Sequence, residues 1–517
     1  MSVSAILLQN FTAFEDTGWV ELRPITLLFG RNSSGKSALI RALLLLRQSL
    51  LPPDERVFVY STPFGVDLGG FREMVHCGKD ESIVRFHFRC SDAEFENLLA
   101  QSPFPDVRKM ATATLQLALG YAAARDGETP NPDRIELADM EICAVRAEGA
   151  ESDLLFRAVL LNPEDAVLFG ERWFVDGVLP GSDKTGAWKG FGCEARRGFL
   201  NINFVEPQFG APNGYRLLTH IFGKLRDEIS GFLKQIVHLG PIRPEPQRRY
   251  SFSRASADEW QARDWTAFRD FIGGRLGEAQ TQEINHWLER LDLAKGGSEP
   301  RVASEIGSLF TEYEITIRES EEAGSLPLSA MGYGLSQVLP VIVQCVTAQP
   351  GSLVIVEQPE LHLHPRAQAE LGDLFIQSSL QAALASWRED AQKDLEEDKE
   401  LPPAPIFSRK SPPGPYFLIE THSEHLLLRL RRRLAETQAY EVQRCQPLPE
   451  NYSLPEQLLT SDDMCMQFVY REGQASRFVQ IGLDEKGEFD ASQAPPQFDE
   501  FFTDDLTELA ALVRAQA

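Results

Sequence analysis

The chain has 517 residues, of which 43% are hydrophobic and 25% are charged, as in ordinary soluble globular proteins of two or three domains. Its formal net charge of −25 argues against a dedicated nucleic-acid-binding protein, which usually carries a basic domain. The sequence shows no basic leader and no apolar run near the ~20 residues that cross a bilayer, which predicts a protein outside the membrane. Its 7 cysteines include no CxxC pair, which predicts a cytoplasmic protein without disulfide bonds or a zinc site.

The N-terminal 60 residues are predicted to form short strands that lead into a glycine-rich turn and an apolar helix. The turn, "GRNSSGKS", fits the pattern GxxxxGK[ST] and lies between the strand-like "ITLLF" and the helical "SALIRALLLL", the context that this motif requires. In such a P-loop, main-chain N–H groups and the helix N-terminus bind phosphates, Lys36 reaches the β- and γ-phosphates, and the Ser37 hydroxyl is a Mg²⁺ ligand. The residues predicted to bind ATP here are Gly30, Arg31, Asn32, Ser33, Ser34, Gly35, Lys36 and Ser37.

Strand-like runs dominate the next part of the chain to about residue 205, and helical periodicity dominates from about 215 to 295. Two small basic clusters, "RPEPQRR" (Arg243 to Arg249) and "RLRRRL" (Arg429 to Leu434), stand out against the acidic background. Clusters of this size are more typical of a solvated surface than of a nucleic-acid site.

A glycine-containing turn, "LSAMGYGLSQVLP" (Leu328 to Pro340), precedes another apolar helix. Gly332, Gly334 and Ser336 lie at the start of that helix, where main-chain N–H groups form a candidate anion site.

Two apolar runs end in polar groups. The first, in "SLVIVEQPELHLHP", ends at Glu357, and the second, in "YFLIETHSEHLL", ends just before His422. Runs of this kind are typical of central parallel strands, whose carboxyl ends bind ligands in open α/β sheets. Glu357 is therefore predicted to be a Mg²⁺ ligand, and His422 to hydrogen-bond the γ-phosphate.

Residues 386–415 are predicted to be a charged and proline-rich insertion, and the last ~75 residues a small appendage. The acidic pairs Asp462-Asp463 and Asp504-Asp505 are interpreted as solvated surface rather than as a nuclease site.

Together these motifs resemble the nucleotide-binding heads of ABC-type ATPases, in the branch with RecF-like, SMC/Rad50-like and OLD-like proteins. They are similar to a bacterial group of AAA/ABC ATPases that end in a small domain of unknown function. The resemblance implies an α/β fold: an ABC-type P-loop ATPase head with a β-rich N-terminal lobe, a helical signature subdomain and a small C-terminal α/β domain. The domains expected on this basis are 1–60 (P-loop part of the head), 61–210 (β-rich lobe), 211–325 (helical middle region), 326–440 (signature, Walker B, D-loop and switch-histidine part of the head, including the insertion) and 441–517 (C-terminal domain).

The resemblance also implies that two heads close around two nucleotides in an ATP-dependent homodimer. Gly332, Gly334 and Ser336 would cap the γ-phosphate held by the partner subunit, although "GYGLS" replaces the usual LSGG string. His362 and His364 fall in the D-loop region, at the subunit contact, rather than in a metal site. Several members of the branch are anti-phage defence ATPases that work beside a nuclease or toxin, which implies a sensor or scaffold for such an effector. A RecF/SMC-like repair ATPase that clamps DNA is the less favoured alternative.

The residue after Glu357 departs from the usual pattern, in which an Asp binds Mg²⁺ and the following Glu polarises the attacking water. Gln358 occupies the place of that Glu, and three interpretations follow. Gln358 orients water weakly and makes the ATPase slow; Glu360 acts as the base instead; or the nucleotide is only structural. The first is favoured.

Overall fold

The structure is a computed structural model of the chain. It describes residues 3–50, 52, 55–63, 65–78, 82–91, 93–110, 114–126, 129–145, 153–161, 173–177, 190–207, 212–243, 245–252, 264–306, 310–318, 324–396, 399, 401–404, 414–444, 446, 453–490, 492 and 494–498.

The strands of these residues, numbered in chain order, are β1 (Val3–Phe11), β2 (Phe14–Asp16), β3 (Val20–Glu21), β4 (Ile25–Phe29), β5 (Val84–Cys90), β6 (Thr114–Asp126), β7 (Thr129–Val145), β8 (Asp153–Leu160), β9 (Trp173–Asp176), β10 (Gly192–Ala195), β11 (Ile202–Val205), β12 (Ile236–Leu239), β13 (Tyr250–Phe252), β14 (Ser298–Ile306), β15 (Phe310–Ile317), β16 (Leu326–Pro327), β17 (Leu353–Glu357), β18 (Tyr416–Glu420), β19 (Met464–Glu472), β20 (Ala475–Leu483) and β21 (Phe489–Asp490). The α-helices are α1 (Lys36–Gln48), α2 (Phe71–Met74), α3 (Ala93–Ala100), α4 (Pro105–Arg108), α5 (Pro212–Lys234), α6 (Thr266–Ile272), α7 (Glu278–Arg290), α8 (Tyr333–Thr347), α9 (Pro365–Glu396) and α10 (Glu424–Gln443). Short 3-10 turns occur at His76–Gly78 and Leu328–Ala330.

The chain divides into two compact units. The β-rich unit lies within Met1–Leu22, Asn32–Gln235 and Val469–Phe478, and the parallel-sheet unit lies within Arg23–Arg31, Ile236–Phe468 and Val479–Ala517.

The β-rich unit is built on an antiparallel sheet with the strand order β2-β1-β5-β6-β7-β8-β9, in which β3 also pairs with β1. β5 shows the reason for this arrangement, because its buried and half-buried residues alternate along "VRFHFRC". Strict alternation buries one face of a strand and leaves the other in contact with solvent. The β-rich lobe that the sequence predicts is confirmed.

The parallel-sheet unit contains a sheet with the strand order β12-β17-β18-β4-β19-β20-β21. The pairs β12–β17, β17–β18, β18–β4 and β4–β19 are all parallel. All five residues of β4 and of β18 are buried, as expected for central strands covered on both faces. Neighbouring parallel strands end at the same edge of a sheet, so β4, β17 and β18 bring their following loops to one edge. This topology confirms the predicted α/β class.

The predicted domain boundaries stay a prediction. β19, β20 and β21, which lie in the expected C-terminal domain, are strands of the same sheet as β4. The charged part of the expected insertion up to Glu396 continues helix α9. Most of its proline-rich part, like Asp504-Asp505, lies outside the described residues. None of the helices in the described ranges is both long and apolar enough to cross a bilayer.

The surface interpretation of the charged clusters holds for Arg248, Arg249, Arg432 and Asp462, which are exposed, and is wrong for three other residues. Arg243 and Arg433 are only 3% and 5% exposed, and Asp463 is fully buried. The charges of these groups are directed into the parallel-sheet unit, because each contacts polar partners there.

Asp463 makes the stability of the fold dependent on pH. Its Oδ2 accepts hydrogen bonds from the main-chain N (2.7 Å) and the hydroxyl (2.6 Å) of Thr460, and burial raises its pKa to about 7. A carboxyl group whose pKa is raised in the folded state binds its proton more tightly there than in the unfolded chain. Stability should therefore fall as the pH rises from about 4 to about 7, by up to about 4 kcal/mol.

The Asp463→Asn variant should lose this dependence and be more stable than the parent at pH 8, measured by urea unfolding at pH 5 and pH 8. The matched control is Asp462→Asn, because the side chain of Asp462 is 76% exposed and its loss should change little. Equal pH profiles of the parent and Asp463→Asn would contradict the prediction.

Candidate nucleotide site

The P-loop (Gly30–Ser37) joins the buried strand β4 to helix α1, which begins at Lys36. Three of its residues have positive φ angles: Gly30 (145°), Ser33 (62°) and Gly35 (106°). A side chain on Gly35 would also collide with its surroundings, because an added Cβ would lie 2.9 Å from Ser476 Oγ and 3.1 Å from the ring of Phe14. The glycine is thus required both by the backbone conformation and by the close packing beneath it.

The interior of the P-loop is polar. Lys36 and Ser34 are each only 4% exposed, and the buried Oγ of Ser34 has no hydrogen-bond partner among the described residues. A buried hydroxyl without a partner costs free energy, and a phosphate oxygen would satisfy it. The strand–turn–helix context that the sequence predicts for this motif is present.

The other predicted groups start from the same edge of the sheet as the P-loop. β17 and β18 pair in register so that Glu357 lies beside Glu420, and Glu420 in turn lies beside Leu28 of β4. The strand ends therefore place Glu357 and the loop of His422 next to the start of the P-loop, at Gly30.

The carboxylate of Glu357 has a partner that sequence reasoning missed. Its Oε1 lies 2.7 Å from Nε2 of His238, near the end of the neighbouring strand β12. His238 follows only two apolar residues in the short strand β12, and 119 residues separate it from Glu357 in the chain. Only a rule that treats every strand-end imidazole as a site candidate would have found it.

The turn after β17 is held from two sides. Arg243 donates to the main-chain oxygens of Glu357 (2.7 Å) and Gln358 (3.1 Å), while the main-chain N of Gln358 donates to the oxygen of Glu420 (2.7 Å). Burial lowers the pKa of Arg243 to about 10, against the opposite effect of nearby Glu360 and Glu357. These bonds support a φ angle of 48° at Gln358, a left-handed conformation that costs about 1–2 kcal/mol in a residue other than glycine. The side-chain amide of Gln358 is left without a hydrogen bond to any described residue.

Glu360 is buried and bonded to the loop that carries His422. Its Oε2 accepts from the hydroxyl of Thr421 (2.8 Å), and its Oε1 accepts from the main-chain N of His422 (2.8 Å). Burial raises the pKa of Glu360, while these bonds act in the opposite direction. With both oxygens engaged, Glu360 is better suited to hold the His422 loop than to activate water.

The two roles of Glu360 predict different mutational patterns. A holding role tolerates Glu360→Gln, because the amide oxygen still accepts from the main-chain N of His422 and its NH₂ can donate to Thr421. Glu360→Ala should then lower ATP turnover by about tenfold, since it leaves buried donors unsatisfied. A base role predicts that both variants lose turnover, so steady-state ATPase rates of the two variants decide between them.

The N-terminus of helix α8 carries the predicted signature residues. Gly332 is its N-cap, and Gly334 allows close approach, because an added Cβ would lie 2.6 Å from the main-chain oxygen of His362. Ser336 is 3% exposed, and its hydroxyl donates to the main-chain oxygen of Tyr333 (2.8 Å). The side chain presented at this terminus is instead that of Tyr333, which is 54% exposed.

The two histidines of "ELHLHP" do not act together. The ring of His362 contacts the ring of Tyr333 edge-on at 5.6 Å, whereas Nδ1 of His364 accepts from the main-chain N of Arg366. In the described part of the chain, no group of three or more His, Cys, Asp or Glu side chains is placed to bind a metal.

Solved structures similar to this chain include heads of SMC proteins. One is an Smc head bound to the C-winged helix domain of ScpA (10% identity, covering 93% of this chain and 99% of that one, TM-score 0.41). Others are the SMC head domain from Thermotoga maritima (10%, 93% and 100%, 0.35) and an Smc head with an extended coiled coil bound to the C-terminal domain of ScpA derived from Pyrococcus furiosus (10%, 93% and 96%, 0.38). With TM-scores below 0.5, these similarities do not assign a function.

No curated protein matches the sequence of the chain significantly. Residues 199–429 match a family described as "AAA domain, putative AbiEii toxin, Type IV TA system". The matched segment includes His238, Glu357 and His422, which lie at or near the carboxyl ends of parallel strands, and Gly334 of α8, whereas the P-loop lies outside it. Residues 199–429 are therefore similar to an AAA-type ATPase domain.

Proposed function

We propose that the chain binds ATP, hydrolyses it slowly and forms a homodimer around the nucleotide, acting as a sensor or scaffold for an effector in bacterial anti-phage defence. One observation carries the proposal. The parallel strands β4, β17 and β18 end at a single sheet edge, from which the P-loop, Glu357 and the His422 loop all start.

Nucleotide binding is assigned to the P-loop. Its main-chain N–H groups and the N-terminus of α1 attract phosphate, Lys36 pairs with the β- and γ-phosphates, and the orphaned hydroxyl of Ser34 fits a phosphate oxygen. His422 reports on the γ-phosphate from the neighbouring strand end.

Ser37 and Glu357 would hold Mg²⁺. The donors fit this ion, since both are hard oxygen ligands and Oε2 of Glu357 accepts no hydrogen bond from the described residues. When bound, Mg²⁺ neutralises charge that develops on the phosphates.

Slow hydrolysis follows from Gln358. Its main chain is fixed by hydrogen bonds and its amide can orient water, but an amide is not a base that takes a proton from that water. The nearest alternative, Glu360, is occupied by Thr421 and His422. ATP would thus stay bound long enough to keep two heads closed.

Closure of the dimer is assigned to the N-terminus of α8. Because the hydroxyl of Ser336 is bonded inward, the partner's γ-phosphate would be capped by the main-chain N–H groups around Gly332 and Gly334. The exposed Tyr333 would lie at the same contact.

The defence context is supported by the description of the matched family, which names a putative toxin of a toxin–antitoxin system. We assign the chain an effector partner of the nuclease or toxin class. DNA is not favoured as a partner, because Arg243, Arg429 and Arg433 of the two basic clusters are engaged within the fold and the net charge is −25.

The test is the mass of the purified chain in solution by light scattering, with and without ATP and Mg²⁺. The parent should double in mass with ATP, and Lys36→Ala should not. Phage plating on cells that carry the gene with its neighbours should show protection that Lys36→Ala removes. A monomer that neither binds nor hydrolyses ATP would refute the proposal.

A further inference from the structure

His238 lies outside the predicted motifs but next to the proposed metal ligand. Its Nε2 is 2.7 Å from Oε1 of Glu357, and the two side chains are 23% and 13% exposed. We propose that His238 is a positioning residue for Glu357, holding Oε1 so that Oε2 faces the metal ion. The inference rests on the proposed function, because it concerns the ion that accompanies the nucleotide.

The main chains of both residues are already fixed. β12 and β17 pair in parallel with His238 beside Ile355, and the N of His238 also donates to Oδ2 of Asp264 (3.1 Å). The main-chain oxygen of Glu357 accepts from Arg243 at 2.7 Å. These main-chain contacts do not fix the rotamer of the Glu357 side chain.

Glu357 stands where the resemblance expects an aspartate, and a glutamate has one more rotatable bond. A longer carboxylate loses more rotamer freedom when it binds a metal, unless a neighbour has already fixed its orientation. His238 supplies such a neighbour, in a site that is mostly shielded from solvent.

The two oxygens of Glu357 are not equivalent. Oε1 is bonded to His238, whereas Oε2 accepts no hydrogen bond from the described residues. One oxygen fixed by a protein donor and the other turned to the ion is the usual arrangement of metal ligands with outer partners, whose loss lowers metal affinity about 10- to 100-fold.

A competing role of His238 would change the affinity for ATP in the opposite direction. If His238 withdrew Glu357 from the ion, its removal would strengthen metal-dependent binding of ATP. The direction of the change therefore distinguishes positioning from competition.

The experiment measures the Kd of ATP for the full chain by equilibrium dialysis, once in excess Mg²⁺ and once in EDTA. His238→Ala should weaken binding in Mg²⁺ by about tenfold and leave the Kd in EDTA unchanged. His238→Gln should restore most of the affinity, because the Nε2–H of glutamine reaches about as far as that of histidine. The matched control is His220→Ala, an exposed histidine of α5.

Unchanged or tighter binding of His238→Ala in Mg²⁺ overturns the inference, and so does an equal loss in EDTA, which would mark a merely structural role. Should His238→Ala fail to fold, the comparison of His238→Gln with the shorter His238→Asn decides. Equal affinities of these two variants for ATP in Mg²⁺ overturn the inference, and a tenfold weaker affinity of His238→Asn supports it. A parent that binds no ATP would refute the proposed function itself, which is a separate outcome.

Discussion

The Gln358→Glu variant should hydrolyse ATP faster than the parent, by about ten- to a hundredfold. A carboxylate at this position would act as a general base, a contribution of about 10²–10⁴ in favourable cases. The turn presents residue 358 with its main chain already fixed by Arg243 and by the bond to Glu420. The substitution keeps the length of the side chain, so that a carboxylate replaces the amide at this point of the turn. Steady-state phosphate release, with the ATP-dependent mass as a second readout, tests this.

The control for added charge is Gln381→Glu, on the exposed side of α9. It should leave turnover unchanged. If hydrolysis reopens the proposed dimer, the faster variant should also spend less time as a dimer. If Gln358→Glu does not accelerate hydrolysis and Glu360→Gln abolishes it, Glu360 is the base and our interpretation of Gln358 is wrong.

Replacing Asp373 with alanine should destabilise the parallel-sheet unit by about 3–5 kcal/mol. Asp373 of α9 is fully buried, and its Oδ2 accepts from three guanidinium groups. The distances are 3.2 Å to Arg290, 2.7 Å to Arg429 and 2.6 Å to Arg433. Without the carboxylate, three cations would face a cavity and repel one another. Urea unfolding of the variant against the parent measures the loss.

Asp390→Ala is the matched control, because it removes an exposed carboxylate from the same helix. It should cost less than about 0.5 kcal/mol. A loss below about 1 kcal/mol for Asp373→Ala would show that the arginines find other partners, such as Glu370, which already accepts from Arg290 and Arg429.

The ion pairs of Asp373 also link two helices that begin near the proposed nucleotide site. α9 begins directly after His364, and α10 begins directly after Ser423, whose hydroxyl donates to Gln368 at 2.8 Å. Arg429 and Arg433 join these two helices through Asp373. The two helices that start at the proposed nucleotide site are thus linked to each other, which favours a fixed geometry of the His422 loop.

Local patterns were sufficient for the strand–turn–helix context of the P-loop and for the parallel strands, whereas the roles expected of Glu357 and His422 stay predictions. "ITLLF", "LVIV" and "YFLIE" are apolar throughout because both faces of a central strand are covered, and such runs can be recognised in the sequence. The same patterns were misleading for Arg433 and Asp463, because charge density alone does not reveal which charged side chains are buried against polar partners.

The sequence by itself determined the strand–turn–helix context of the P-loop and the ends of the buried strands, since each depends on residues close together in the chain. Only the tertiary structure decided that His238 contacts Glu357, that Arg243 bonds to the turn of Gln358 and that Glu360 bonds to the His422 loop. Those contacts join residues 62 to 119 positions apart. A hydrogen bond between strands depends on their order and register in the sheet, and no local periodicity encodes which strand becomes the neighbour of which.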